Sequence, residues 1–156
     1  MIYKNRFFLL MLLIILLSAC GQDAERGNEG DIVASGAVDV FTIKVGDCFD
    51  DQSNDEVADV PGVPCTDAHD NEAYYTYDVD YPEWPGEDVL QEAGKEECLA
   101  HFEAYVGQTY DDSILDIYSL RPTEYGWRKL KDREVVCVAY DMNGEKLSQS
   151  VKDSGL

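Results

Sequence analysis

GEDVLQEAGKEECLAHFEAYVG, residues 86–107, decides the fold. Leu90, Gly94, Cys98 and Phe102 recur every four residues, with Tyr105 on the same side, while Glu87, Asp88, Glu92, Glu96 and Glu103 fall mostly elsewhere. That is the period of a helix with one apolar face, not the period of two that marks a strand. Acidic residues at its start suit the positive end of the helix dipole, and Gly107 is a natural stop. The spacing predicts a helix over Gly86–Val106.

Outward from this helix the period changes. EAYYTYDV (residues 72–79), ILDIYSL (114–120) and REVVCVAYD (133–141) are rich in aromatic and β-branched residues and read as strands. VDVFTIKVGDCF (38–49) alternates up to Gly46 and reads as one more. Asn143-Gly144 predicts a hairpin turn into a last strand near Lys146–Val151. One amphipathic helix among strands joined by short turns implies an α+β fold, a small antiparallel sheet with the helix packed on one face.

Five cysteines qualify that picture. Cys48, Cys65, Cys98 and Cys137 are even in number and in an exported chain imply two disulfides, with three possible connectivities. Cys48–Cys65 with Cys98–Cys137 is favoured, because the first closes a polar loop and the second ties the helix to a late strand. Loops of these sizes contribute about 3 and about 4 kcal/mol on a chain-entropy argument. A metal reading of Cys48, Cys65 and His69 supplies only three ligands and no C-x2-C pair, so no metal is expected.

The fifth, Cys20, stands where an apolar run ends. Lys4 and Arg6 precede an unbroken apolar stretch from Phe7 to Leu17, followed by Ser18 and Ala19, the order of a secretory signal and too short for a permanent span. Leu17-Ser18-Ala19-Cys20 resembles the lipobox of bacterial lipoproteins, which implies cleavage before Cys20 and acylation of its thiol. The expected organisation is a signal peptide over 1–19, a lipidated Cys20 heading a flexible acidic tether over 20–39, and a folded domain over 40–153. The tether is expected because Gly21–Asp39 holds no aromatic residue and is rich in Gly, Asp, Glu and Ala.

Cleavage leaves 137 of the 156 residues, enough for one domain. It also lowers Lys plus Arg from 12 to 10 against 32 acids, a net charge of −22. Such a surface repels nucleic acid and anionic headgroups.

The blocks VGDCF, VPCTDAHDNEAY, WPGED opening the helix, AYVGQTYDDSILDIYSLRPTEYGW and VVCVAYD, in that order, resemble the septum-formation domain family of actinobacterial membrane-associated proteins, over roughly Val45 to Ser150. The resemblance implies an exported or membrane-tethered domain linked to cell division, and an envelope or division protein is the expected partner. It brings no catalytic residues and no cofactor.

Within the chain itself, His69 sits four residues after Cys65 among Asp67, Asp70 and Glu72, so a general base oriented by a carboxylate is conceivable, and an envelope hydrolase is the alternative function. No G-x-S-x-G or free-cysteine nucleophile accompanies it, so His69 is expected to hydrogen-bond its own loop, and a binding or scaffolding role without catalysis is preferred. His101 is expected to be a half-exposed helix residue. Asp47, Asp50, Asp51, Asp55, Glu56 and Asp59 offer oxygen ligands for weak divalent cation binding but fail the EF-hand template, which needs Gly where Glu56 stands. Tyr81 and Trp84, beside Pro82 and Pro85, are the candidate exposed aromatics of a binding surface.

Overall fold

A computed structural model describes residues 22–52 and 58–156. Cys20 and the signal segment, with Asp55 and Glu56 of the acidic loop, lie outside the described residues. The strands are β1 (Glu25–Arg26), β2 (Ile32–Ala34), β3 (Gly36–Asp39), β4 (Cys48–Phe49), β5 (Asp59–Val63), β6 (Asn71–Asp78), β7 (Leu115–Leu120) and β8 (Glu134–Asp141), and the one long helix is α1 (Glu87–Val106). β1 and β2 form a hairpin; the others form an antiparallel six-stranded sheet in the order β3-β5-β4-β6-β8-β7.

α1 buries Leu90, Gly94, Cys98, Phe102 and Val106, an unbroken i, i+4 series, and ends on Gly107 in the left-handed region at φ 82°. Gly94 is where the helix comes closest to β7: a Cβ there would stand 2.6 Å from Ser119 Oγ. Cys98–Cys137 ties α1 to β8, and Cys48–Cys65 joins β4 to the loop after β5. Two clusters carry most of the core. Tyr74, Cys98, Phe102, Val106, Leu115, Cys137 and Ala139 lie between helix and sheet. Ile32, Val38, Phe49, Val60, Ala73, Val136 and Val138 lie on the opposite face, under the β1–β2 hairpin.

That hairpin corrects the expected tether. From Gln22 onward the chain is built into the domain: Ala37 N–H donates to the Gln22 carbonyl at 3.0 Å and Ala24 N–H to the Ala37 carbonyl at 2.9 Å, and Ile32 and Val38 are buried. A segment without aromatics orders here because the sheet supplies the apolar surface that it lacks. The folded unit therefore starts before residue 40, and it runs on to Leu156, whose carbonyl accepts from Ser113 Oγ at 2.6 Å.

Two strands are also corrected. Val38–Phe49 is not continuous, because the Asp39 carboxylate accepts from Phe41 N–H at 2.9 Å and caps a 3-10 turn at Val40–Thr42, and Gly46 turns the chain again at φ 92°. Beyond Asn143-Gly144 only Leu147 pairs, with His69; Val151 N–H turns to a side chain, Glu72, at 2.6 Å. The edge strand β7 shields its outward amides with side chains: Ser113 Oγ accepts from Leu115 N–H at 3.0 Å and Asp116 from Ile117 N–H at 2.8 Å, while Arg121 donates to the Ser119 carbonyl at 3.0 Å. An edge so occupied resists adding a further strand.

Candidate functional site

Two arrangements concentrate polar groups, one sealed and one open. The sealed one lies where β6 begins. His69 is fully buried, with both backbone groups paired to Leu147, and its Nδ1 is 2.8 Å from the Asp67 carbonyl oxygen. The ring therefore bonds its own loop, as expected. Glu72, also fully buried, accepts from Tyr105 OH and Ser150 Oγ at 2.8 Å each and from Val151 N–H at 2.6 Å. A ring nitrogen of His69, a Glu72 carboxylate oxygen and Cys48 Sγ lie within 4.8 Å of one another. Burial pushes the Tyr105 hydroxyl far above its ordinary range, helped by the Glu72 charge, so it stays a donor. Glu72 is a hub that sequence reasoning missed. Its only trace is its place as a charged residue at the head of an apolar strand.

The open arrangement is a cleft of about 250 Å³ lined by Asp51, Asp70, Asn71, Tyr118, Tyr140, Asp141, Gly144 and Glu145. Strand alternation puts Tyr118 and Tyr140 side by side on the sheet face away from α1, their rings 5.9 Å apart. Asn71 joins the parts, donating to Asp51 Oδ1 at 2.7 Å and accepting from Tyr118 OH at 3.2 Å. Lys146 reaches across the rim to Asp50 Oδ1 at 2.7 Å and Asp70 Oδ2 at 2.9 Å. Burial works to raise Asp70, but the Asp51 N–H and Lys146 outweigh it and hold the carboxyl below its usual range. Burial, with Asp51, Tyr140 and Asp70 nearby, pushes the Tyr118 hydroxyl far up. The cleft thus offers carboxylates and protonated phenols over an aromatic floor, a setting for a cationic side chain.

Among the described residues, the acidic loop is not one ligand set. Asp47 is buried in a bidentate pair with Arg26, both contacts at 2.6 Å, and also accepts from Lys44 N–H at 2.8 Å. Asp50 holds Lys146, and Asp59 lies in β5. Arg26 is held above its usual range chiefly by the hydrogen bond to Asp47.

The aromatic pair expected at the surface divides. Tyr81 is exposed, but Trp84 is half-buried with its ring 5.6 Å from that of Trp127, so it belongs to a small core with Leu90, Val79 and Val135 rather than standing out as an anchor. His101 is half-buried, stacked on Tyr75 at 3.6 Å between ring centroids. No described helix is long and apolar enough to cross a membrane.

A family model described as septum formation matches residues 45–154. No curated protein and no solved structure matches the chain.

Proposed function

The chain belongs to the septum-formation family, and from that premise we propose that it is a lipid-anchored binding domain on the outer face of the cytoplasmic membrane, serving septum assembly without catalysis. The observation that carries the binding reading is the contrast between the two polar arrangements. The cleft between Asp70 and Glu145 is open and chemically suited to a basic segment of an envelope or division protein, whereas His69 is fully buried. An envelope hydrolase built on His69 would need that imidazole open to substrate, and its burial weighs against it. A divalent cation at the rim would first have to displace Lys146 from Asp50 and Asp70, which weakens the cation reading.

Attachment through Cys20 fits a short signal ending in a lipobox, since two or more acyl chains give stable anchoring. A single residue, Gly21, then separates the lipidated Cys20 from Gln22, which is already bonded to β3. With about 3.6 Å per residue of reach, the domain sits directly against the headgroups rather than on a tether. Metabolic labelling with a fatty acid tests the anchor: label should enter the wild type and be lost in Cys20→Ser, and unchanged labelling of the variant would remove the lipid from this reading. Restoration of septation in a deletion strain tests the cleft. Asp70→Asn with Glu145→Gln should fail at matched protein level where Glu92→Gln with Glu96→Gln, on the exposed face of α1, succeeds.

A further inference from the structure

The two disulfides differ in their surroundings. Cys98 and Cys137 are both fully buried between α1 and β8. In the other, Cys48 is fully buried but Cys65 is half-buried on the loop after β5. Beside Cys48 stands the His69 ring, and its Nε2 is buried with no hydrogen-bond partner among the described residues. A carbonyl oxygen only accepts, so the 2.8 Å contact with Asp67 places the proton on Nδ1, and in the neutral ring Nε2 presents a bare lone pair. The ring has little freedom to turn away, since it is fully buried and its Nδ1 is held by the Asp67 carbonyl. A buried acceptor left unsatisfied is costly, and native structures rarely keep one without a reason. A disulfide has no proton to offer it; a thiol does.

We infer that Cys48–Cys65 is a thiol–disulfide exchange site, with Cys65 the sulfur attacked and His69 the group that receives the Cys48 thiol. A thiolate of an external dithiol attacks Sγ of Cys65, the more exposed of the two residues. A new S–S bond forms to Cys65, the Cys48–Cys65 bond breaks, and its electron pair leaves on Cys48. Cys48 takes a proton from the dithiol's second thiol and donates the resulting S–H to His69 Nε2. That second sulfur, now a thiolate, closes on its neighbour and releases Cys65, which takes up the proton the attacking thiol had lost. Two electrons and two protons pass to the protein, and the dithiol becomes a disulfide. Reduction thus completes a hydrogen bond that the oxidised form lacks, while Cys98–Cys137 gains nothing comparable and remains closed.

The test uses the full chain carrying Cys20→Ser, equilibrated in graded dithiothreitol redox buffers, quenched with acid, alkylated and mapped by mass spectrometry. Cys48–Cys65 should open at a dithiol-to-disulfide ratio at least tenfold lower than Cys98–Cys137, about 30 mV apart. In a parallel run with reduced glutathione in place of dithiothreitol, the adduct trapped early should sit on Cys65. His69→Ala should make Cys48–Cys65 about tenfold harder to reduce, and His69→Gln, which restores an acceptor, should recover part of that. Simultaneous opening of both disulfides, earlier opening of Cys98–Cys137, or an adduct on Cys48 would overturn the assignment from wild-type side chains alone, whether or not the His69 variants fold. A folded His69→Ala with unchanged reduction would overturn it as well.

Discussion

At the scale of single residues, the magnitude of a charge's contribution follows its burial. Arg26 and Asp47 form a bidentate pair in which the Asp47 side chain is only 4% exposed. Removing the cation leaves a carboxylate in low dielectric with one N–H for company, and breaking such a pair costs several kcal/mol. Arg26→Met should therefore lower the unfolding free energy in urea by about 3 kcal/mol. Arg128→Ala should change it by about 0.5 kcal/mol or less, because its partner Glu124 and Arg128 itself are more than half exposed. The Tyr110 hydroxyl, donating to Asp116, holds that carboxyl below its usual range against the effect of burial, with help from Ile117 N–H and Tyr140. The same bond pushes Tyr110 up to about 12. A carboxyl depressed in the folded state stabilises above its ordinary value near pH 4, and that stabilisation is lost as pH falls through the folded value. Tyr110→Phe should then cost about 1 kcal/mol at pH 7 and progressively less below about pH 4, measured as urea midpoints along a pH series. Glu124 and Arg128 stand at i,i+4 and could be read from spacing, but the buried pair could not. Arg26 and Asp47 are 21 residues apart and meet only because β1 lies along the sheet edge.

At the scale of elements, legibility tracked length and self-sufficiency. α1 announced itself because five buried positions repeat at helical spacing over 20 residues and a glycine ends it. β6, β7 and β8 are long enough for their aromatic and β-branched content to speak, and both cysteine pairings followed from which elements they could join. β1 to β5 were illegible or misread because each is two to five residues long and ordered by its neighbours. The missing final strand has the same cause: Glu72 claims the Val151 amide that a ladder would have used. The helix staple makes a direct prediction. Cys98→Ala with Cys137→Ala frees a 39-residue separation, and the loss should be about 4 kcal/mol in urea unfolding if the native packing survives. Gly94→Val, which drives a branched side chain against Ser119, should cost about 2 kcal/mol by pushing α1 off β7.

At the scale of the whole molecule, both faces of the sheet carry core, and only the face away from α1 also carries the open chemistry. α1 covers one face, and the other ends in a cleft where Tyr118 and Tyr140 lie beneath carboxylates from the loops around β6 and β8. The cleft was not legible in advance, since its residues come from positions between 51 and 145 and the expected aromatic surface, around Trp84, proved to be core. What the sequence did carry was the acidic excess, which suits a cationic partner better than a polyanion. The most direct measurement is zero-length carbodiimide coupling of carboxylates to lysines in intact cells, followed by peptide mapping. A basic partner in the cleft predicts intermolecular links concentrated at Glu145, which are lost in Glu145→Gln, and few at Glu92 and Glu96 on the opposite layer. Links spread evenly over the acidic face of α1, with none above that level at Glu145, would contradict a binding function seated in the cleft.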